Sequence, residues 1–166
     1  MSSLEDLYRE VILDHYRAPR NRGELISPPA IISEGKNPIC GDELTLFLQV
    51  QDNKITDIKL SGSGCSISTA SASMMSVAIK DKDLDQAREL IRSFKELMTI
   101  HESNLESNDM PSQKPEESLE LGELEALTGV VKFPVRIKCA TLAFNTLENA
   151  INNAQGLAKT SVISTE

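Results

Sequence analysis

The stretch LTLFLQVQDNKITDIKL at residues 44–60 decides the fold. Apolar side chains alternate with other side chains over residues 44–50, and this period of two is typical of a strand with one buried face. The dipeptide Asp52-Asn53 is a turn signal, so the chain after it returns as a partner strand. A shorter run at residues 30–33 adds a third strand. The sequence therefore predicts a small antiparallel meander.

Helical periodicity surrounds these strands. Apolar residues recur three and four positions apart over residues 4–17, after Cys65, and again after Asp83, which is a candidate N-cap. Pro134 lies near the first turn of a final helix that reaches about Asn153. The whole pattern predicts an α+β fold, in which a small three-stranded antiparallel sheet carries helices packed on one face.

The domain organisation follows from length and local composition. A chain of 166 residues fits one domain, and we assign residues 1–155 to it. Residues 101–120 are polar and acidic, with two prolines, and this composition predicts a loop inserted near the middle of the domain. A short helix at residues 122–127 follows the loop. The tail at residues 156–166 is expected to fray.

Composition and charge exclude several classes of partner. Aromatic residues make up only 4% of the chain and Trp is absent, so the core is expected to be mostly aliphatic. A formal net charge of -8 argues against nucleic acid, because that affinity depends on clustered Lys and Arg. We find neither a membrane-spanning apolar run nor an export signal, and we expect a cytoplasmic protein. In that compartment three widely spaced cysteines are packing residues, metal ligands or nucleophiles.

The three cysteines have neighbours that suit a metal site. Cys40 and Asp42 flank Gly41, so a tight loop can direct a thiolate and a carboxylate toward one centre. If folding unites them with Cys65 and Cys139, the resulting set suits a tetrahedral zinc ion, since thiolates favour a soft or borderline metal. Spacing alone leaves a plainer reading open, because lone cysteines are most often small buried hydrophobes.

Two basic residues near Cys139 are candidate countercharges for this site, whereas the two histidines of the chain are not expected to be ligands. Arg136 and Lys138 flank Cys139 and could offset the negative charge of three thiolates and a carboxylate. His15 in the first helix is expected to be a surface or packing residue. His101 is expected to be solvated rather than a ligand.

Four motifs, taken together and in order, resemble the SufU branch of the SufU/IscU-like iron–sulfur cluster assembly family, which also includes NifU N-terminal-like domains. They are LYREVILDHY at 7–16, NPICGD at 37–42, GCSISTASASMM at 64–75 and FPVRIKCATL at 133–142. The resemblance implies a zinc site with Cys40, Asp42, Cys65 and Cys139 as ligands. The IscU branch has a histidine before its last cysteine, whereas this chain has Lys138. That difference favours the SufU branch.

The resemblance also implies a function. A SufU-like protein accepts persulfide sulfur from a pyridoxal-phosphate cysteine desulfurase of the SufS kind, as a zinc-dependent sulfurtransferase-like acceptor, and passes it to downstream cluster assembly proteins. We expect Cys40 to be the nucleophile, because its glycine-flanked loop moves more easily than a helix that carries Cys139. The main alternative is a scaffold that binds iron and assembles a transient [2Fe-2S] cluster on the same ligands for transfer to apo-proteins. A zinc hydrolase and a purely structural zinc site are further alternatives.

Overall fold

The predicted hairpin forms the centre of the sheet. The computed structural model describes residues 4–27, 29–107, 122–156 and 163–164. Strand β2 spans Asp42–Gln51 and strand β3 spans Lys54–Ser63, and the two pair antiparallel. Asp52 and Asn53 join them with positive φ angles of 52° and 63°, the backbone geometry that a two-residue hairpin turn requires.

Strand β1 spans Ile31–Asn37 and completes the antiparallel meander. It pairs with β2 up to the last pair of the ladder, Asn37 with Asp42. The strand predicted at residues 30–33 was therefore too short. The reason is that β1 buries small and polar residues on alternate positions, so it lacks the apolar alternation that identified β2.

A fourth strand, β4 at Ile163–Ser164, pairs parallel with Gly35 and Lys36 of β1. The sheet order is β3-β2-β1-β4. The three predicted antiparallel strands are confirmed, but the expectation of a frayed tail is wrong for residues 163–164, because they hydrogen-bond to the free edge of β1. The rest of the predicted tail beyond Gly156 lies outside the described residues.

The described helices follow the predicted order. They are α1 at Leu4–Arg17, α2 at Ser66–Ile79, α3 at Leu84–Ser107, a 3-10 helix at Gly122–Lys132 and α4 at Pro134–Ala154. Helix α3 starts at the predicted cap: Asp83 Oδ1 accepts from Gln86 N at 2.7 Å, and Gln86 Oε1 accepts from Asp83 N at 3.1 Å. This reciprocal pair is a capping box.

The segment predicted as a loop at residues 101–120 begins later than expected. Helix α3 continues to Ser107, so residues 101–107 are helical. These seven residues contain neither proline nor glycine, and Pro111 is the first residue that a helix interior would reject. Residues 108–121 lie outside the described residues, and the assignment of residues 1–155 to one domain stays a prediction.

The core lies between the sheet and helices α2, α3 and α4. It is mostly aliphatic, as expected, and its aromatic part is a stacked pair, Phe94 and Phe144, with ring centroids 3.9 Å apart. Helix α4 packs closely on β1, since a Cβ on Gly35 would meet Leu142 and Thr146. Helices α3 and α4 are the longest described helices, and neither holds a stretch apolar enough to cross a membrane.

Candidate metal centre

Cys40 lies on the hairpin loop that connects β1 to β2. Because Asn37 pairs with Asp42, residues 38–41 form the whole loop. Gly41 has φ +71°, a backbone conformation that favours glycine, and its side-chain position faces open space. The Cys40 side chain is half-buried. Its thiol is thus carried by a short loop at one end of the sheet.

Asp42 is the first residue of β2 and is buried. Its Oδ1 accepts a hydrogen bond from the backbone N–H of Cys65 at 2.8 Å. The second oxygen, Oδ2, lies 3.9 Å from Cys65 Sγ. One carboxylate oxygen therefore fixes the side chain, and the other remains directed toward the sulfur atoms.

Cys65 is the N-cap of α2, at the point where β3 ends and the helix begins. Its Sγ accepts a hydrogen bond from Ser68 N at 3.4 Å. Glycine at position 64 lets the side chains of Ser68 and Asp42 pack close to the backbone before Cys65. A Cβ there would collide with Ser68 Oγ and come within 2.9 Å of Asp42 Oδ1.

Cys139 enters the site from α4 and is fully buried. Its Sγ lies 3.2 Å from Cys40 Sγ, although 99 residues separate the two in the sequence. Both cysteines are free thiols. Asn37 Nδ2 also contacts the sulfur, at a distance of 3.6 Å. Folding therefore unites the helix-borne and loop-borne cysteines that spacing alone could not place.

The donor atoms of Cys40, Asp42 and Cys139 all lie within 4.8 Å of one another. Cys65 falls outside this tight set but contacts Asp42, so all four predicted ligands lie at one end of the sheet. Three sulfurs and one carboxylate oxygen are a donor set that zinc accepts in tetrahedral geometry. Thiolate bonds of about 2.3 Å would set sulfur atoms roughly 3.8 Å apart, so Cys40 and Cys139 need to separate by about 0.6 Å.

The electrostatics of the metal-free site favour the protonated form of the Cys139 thiol. Burial raises the pKa of the Cys139 thiol, and the neighbouring Cys40 and Cys65 thiols and the Asp42 carboxyl raise it further. A cation would reverse this preference, because it favours the thiolate form. The residues present thus fit a bound metal ion better than a set of packing cysteines.

Arg136 supplies positive charge at the site. It precedes Cys139 by three positions, so the two share one face of α4. A side-chain hydrogen bond to Cys139, together with the negative charge that the three sulfurs can carry, raises the pKa of the guanidinium. Lys138 is one position from Cys139, about 100° around the helix. Arg136, one of the two predicted countercharges, therefore interacts electrostatically with the candidate ligands.

Neither histidine joins the cysteines in the described part of the chain. His15 is buried, as expected of a packing residue, with Nδ1 2.7 Å from Ser73 Oγ and Nε2 paired with Glu123. These contacts tie α1 to α2 and to the 3-10 helix. The side chain of His101 lies outside the described residues.

Exposed apolar residues stand next to the candidate ligands. Ile39, Phe133 and Val135 are each more than half exposed, and they belong to the Cys40 loop and to the start of α4. We call these three residues the apolar rim. A groove of about 690 Å³ continues from Phe133 between α1 and the 3-10 helix, with Arg9 and Arg136 among its lining residues. Such exposed apolar surface is typical of a protein interaction site.

One residue of this site was missed in the sequence. Asn37 is fully buried beside Cys139, and its Oδ1 has no hydrogen-bond partner in the part of the chain that the structure describes. A buried polar atom left in this way costs about 1–3 kcal/mol. The signal in the sequence was an asparagine three residues before a candidate ligand, which reads equally well as a turn residue.

Comparison with known proteins identifies a family and several relatives that this chain resembles. Residues 7–140 match the family model of the NifU-like N terminal domain. The chain is 41% identical over 155 residues to the zinc-dependent sulfurtransferase SufU of Bacillus subtilis (strain 168), across 93% of this chain and 96% of that protein. It is 42% identical over 165 residues to the iron–sulfur cluster assembly scaffold protein IscU of Streptococcus pyogenes serotype M1, across 98% and 95%.

Solved structures agree in fold. The crystal structure of FiSufU from Fervidobacterium islandicum AW-1 superposes with a TM-score of 0.72 at 31% identity and covers 90% of this chain and 99% of that one. Relatives named as a sulfurtransferase and as a scaffold therefore both match nearly the whole chain.

Proposed function

Because the chain belongs to the NifU-like N-terminal domain family, we propose that it works in iron–sulfur cluster assembly as a zinc-bound acceptor of persulfide sulfur. The resemblance inferred from the motifs is confirmed by this family match. The observation that carries the proposal is the 3.2 Å approach of Cys40 Sγ to Cys139 Sγ, with Asp42 within the same small group of donor atoms. Cys40, Asp42, Cys65 and Cys139 would hold the zinc ion.

The chemistry requires one thiolate that can leave the ligand set. Bound zinc keeps thiols deprotonated at neutral pH, where a free cysteine with a pKa of about 8.5 is mostly protonated. Cys40 is the proposed nucleophile because it lies on a four-residue loop and is half-buried, whereas Cys139 is fully buried on a helix. Movement of the loop can free Cys40 without disturbing the packing of α4.

The transfer step balances without an external oxidant or reductant. Cys40 Sγ attacks the outer sulfur of a cysteine persulfide and forms a new S–S bond. The S–S bond of the donor breaks, and the donor cysteine leaves as a thiolate with the bonding electron pair. The transferred sulfur keeps its formal oxidation state, and Cys40 then carries the persulfide.

The proposed donor is a cysteine desulfurase of the SufS kind, and the proposed recipients are downstream cluster assembly proteins. The apolar rim supports docking of a partner protein at the site, because Ile39 lies on the loop that carries Cys40, and Phe133 and Val135 lie at the start of the helix that carries Cys139. Arg136 adds a positive charge beside the rim, in a protein with a net charge of -8. A partner that combines apolar and acidic side chains would match this surface.

A scaffold that assembles a transient [2Fe-2S] cluster is the second candidate. The similarity to the Streptococcus pyogenes protein named as a scaffold favours it. Thiolates and a carboxylate can also bind iron. Lys138 argues for sulfur transfer, because an ammonium group cannot replace the histidine that precedes the last cysteine in the IscU branch.

Two further alternatives are weaker. A zinc hydrolase needs an open coordination position for water, and four protein ligands would fill a tetrahedral site. A purely structural zinc site would not need a half-buried cysteine on a loop beside an exposed apolar rim.

The test compares Cys40→Ala with Cys139→Ala in sulfur transfer. Zinc-loaded protein is incubated without oxygen with cysteine and a SufS-like desulfurase, and the persulfide is located by mass spectrometry of peptides. We expect Cys40→Ala to accept no sulfur, while Cys139→Ala still accepts sulfur on Cys40 with reduced zinc retention. Persulfide on Cys40→Ala at the native rate would show that the acceptor is a different cysteine. A stable cluster built from iron and sulfide, without sulfur acceptance, would favour the scaffold.

A further inference from the structure

Asn37 and Asn153 are the described residues with buried side-chain polar atoms that lack a hydrogen-bond partner, and Asn37 is the one beside the candidate ligands. It ends β1 directly opposite Asp42, and it is fully buried. Its Nδ2 donates a hydrogen bond to Cys139 Sγ at 3.6 Å. Its Oδ1 has no hydrogen-bond partner in the described ranges. The contact to sulfur is therefore the hydrogen bond that orients this amide.

The hydrogen bond that Asn37 donates is stronger when the sulfur that accepts it is charged. A thiol sulfur is a weak acceptor, and it would not compensate for a buried amide oxygen that lacks a donor. A thiolate is a much better acceptor, because a hydrogen bond to an ionised group is roughly twice as strong as a neutral one. The N–H···S hydrogen bond from Asn37 would therefore strengthen when Cys139 binds a metal as a thiolate.

The three sulfurs of the site differ in this respect. Cys65 Sγ accepts from the backbone N–H of Ser68, and Cys139 Sγ accepts from Asn37 Nδ2. Among the described residues, the hydrogen-bond partner of Cys40 Sγ is the Cys139 thiol, and no amide donates to it. The two sulfurs with an amide donor are carried by helices, and the one without is carried by the loop.

We propose that Asn37 is a positioning residue that holds Cys139 as a permanent metal ligand, so that Cys40 is the ligand that detaches to accept sulfur. The N–H···S bond draws electron density from the Cys139 thiolate and lowers its nucleophilicity, while the same bond fixes the direction of its Sγ toward the metal. Among the described residues, no amide donor withdraws electron density from Cys40 Sγ. The choice of acceptor rests on the proposed function, but the hydrogen bond between Asn37 and Cys139 can be tested without it.

The first experiment uses the unaltered chain. Zinc is replaced by ¹¹³Cd, and side-chain amide protons are examined by NMR for scalar coupling to the metal through the N–H···S–Cd path. We expect the Asn37 amide proton to show this coupling and a downfield shift on metal binding. An Asn37 amide with neither the coupling nor the shift overturns the proposal, and no variant needs to fold for this result.

The second experiment uses a matched pair of variants. Asn37→Leu removes the donor while keeping the number and branching of the side-chain heavy atoms. Asn149→Leu removes another buried asparagine, whose Nδ2 donates to Ser33 Oγ at 2.9 Å rather than to a sulfur. We expect Asn37→Leu to bind zinc about tenfold more weakly in competition with a chelator, as for other groups that orient metal ligands. Asn149→Leu should keep the native zinc affinity, and equal affinity in both variants contradicts the proposal.

The same variants separate this inference from the proposed function. In Asn37→Leu, persulfide formed with a desulfurase should appear on Cys139 as well as on Cys40, whereas Asn149→Leu should carry it on Cys40. If the native chain shows the coupling but accepts no sulfur, the proposed function fails and the role of Asn37 in holding Cys139 stands. If Asn37→Leu accepts sulfur on Cys40 alone with native zinc affinity, the role of Asn37 fails and the function stands.

Discussion

At the scale of single residues, Asp42 divides its two carboxylate oxygens between two tasks. Oδ1 holds the backbone of Cys65, and Oδ2 remains available to a metal. Asp42→Asn separates these tasks, because the amide oxygen can still accept from Cys65 N while the carboxylate charge is lost. We expect zinc affinity, measured by chelator competition, to fall about 10-fold to 100-fold. Native affinity in Asp42→Asn would show that the carboxylate is not a ligand.

The raised pKa of the Cys139 thiol predicts how the stability of the metal-free protein depends on pH. Because its pKa is raised in the folded state, the unfolded chain releases this proton first, from about pH 8.5 upward. Stability contributed by the protonated thiol is therefore present below that pH and is lost as pH rises, by at most about 1.4 kcal/mol per pH unit. Urea unfolding of metal-free protein between pH 7 and pH 10 measures the slope.

The matched control for this prediction is Cys139→Ala, which removes the titrating group. Its unfolding free energy should fall less steeply above pH 8.5 than that of the native metal-free chain. Parallel slopes in the two proteins would mean that another group causes the loss.

At the scale of elements, the junction between β3 and α2 depends on Gly64. A Cβ at this position would collide with Ser68 Oγ and crowd Asp42 Oδ1. Gly64→Ala should therefore displace the start of α2, lower the free energy of unfolding by about 1–3 kcal/mol and weaken zinc binding. Gly129→Ala is the control, because a Cβ there meets nothing within 4 Å. Equal unfolding free energies in the two variants would contradict this account.

The elements also show where sequence patterns were informative. Strand β2 was predicted because its buried residues are large and apolar. Helix α3 was predicted because Asp83 offered an N-cap before apolar residues at helical spacing, and the structure completes that cap with Gln86. Strand β1 was underestimated because its buried face holds Ser33, Gly35 and Asn37. Small residues are needed there, since Thr146 of α4 packs where a Cβ on Gly35 would lie. That requirement comes from a partner more than 100 residues away, so no local pattern reveals it.

Some residues of the candidate site could likewise be predicted from the sequence, and others could not. The cysteines and Asp42 could be chosen from residue type and motif, and their convergence at one end of the sheet agrees with that choice. The ligand assignment itself stays a prediction. The role of Asn37 could not be inferred in advance, because it depends on the contact between the end of β1 and a residue of α4 that is 102 positions away.

At the scale of the whole molecule, the proposed zinc ion joins the sheet, α2 and α4. Binding to the folded state alone stabilises it by about 4 kcal/mol when free zinc exceeds the Kd roughly 1,000-fold. For a domain of this size that corresponds to about 8–16 °C in Tm. Calorimetry of zinc-loaded protein and of protein verified as metal-free should show this difference, and unchanged melting would contradict a metal that supports the fold.

The wide separation of Cys139 from the other proposed ligands has a consequence for biosynthesis. Cys40, Asp42 and Cys65 lie within 26 residues and emerge early from the ribosome, whereas Cys139 joins them only after α4 has been made and has packed on β1. A newly made chain can hold three candidate ligands long before it holds four. If these four residues are the zinc ligands, full zinc coordination would mark a chain that has completed its synthesis through α4, and tight metal retention would distinguish finished molecules from truncated ones.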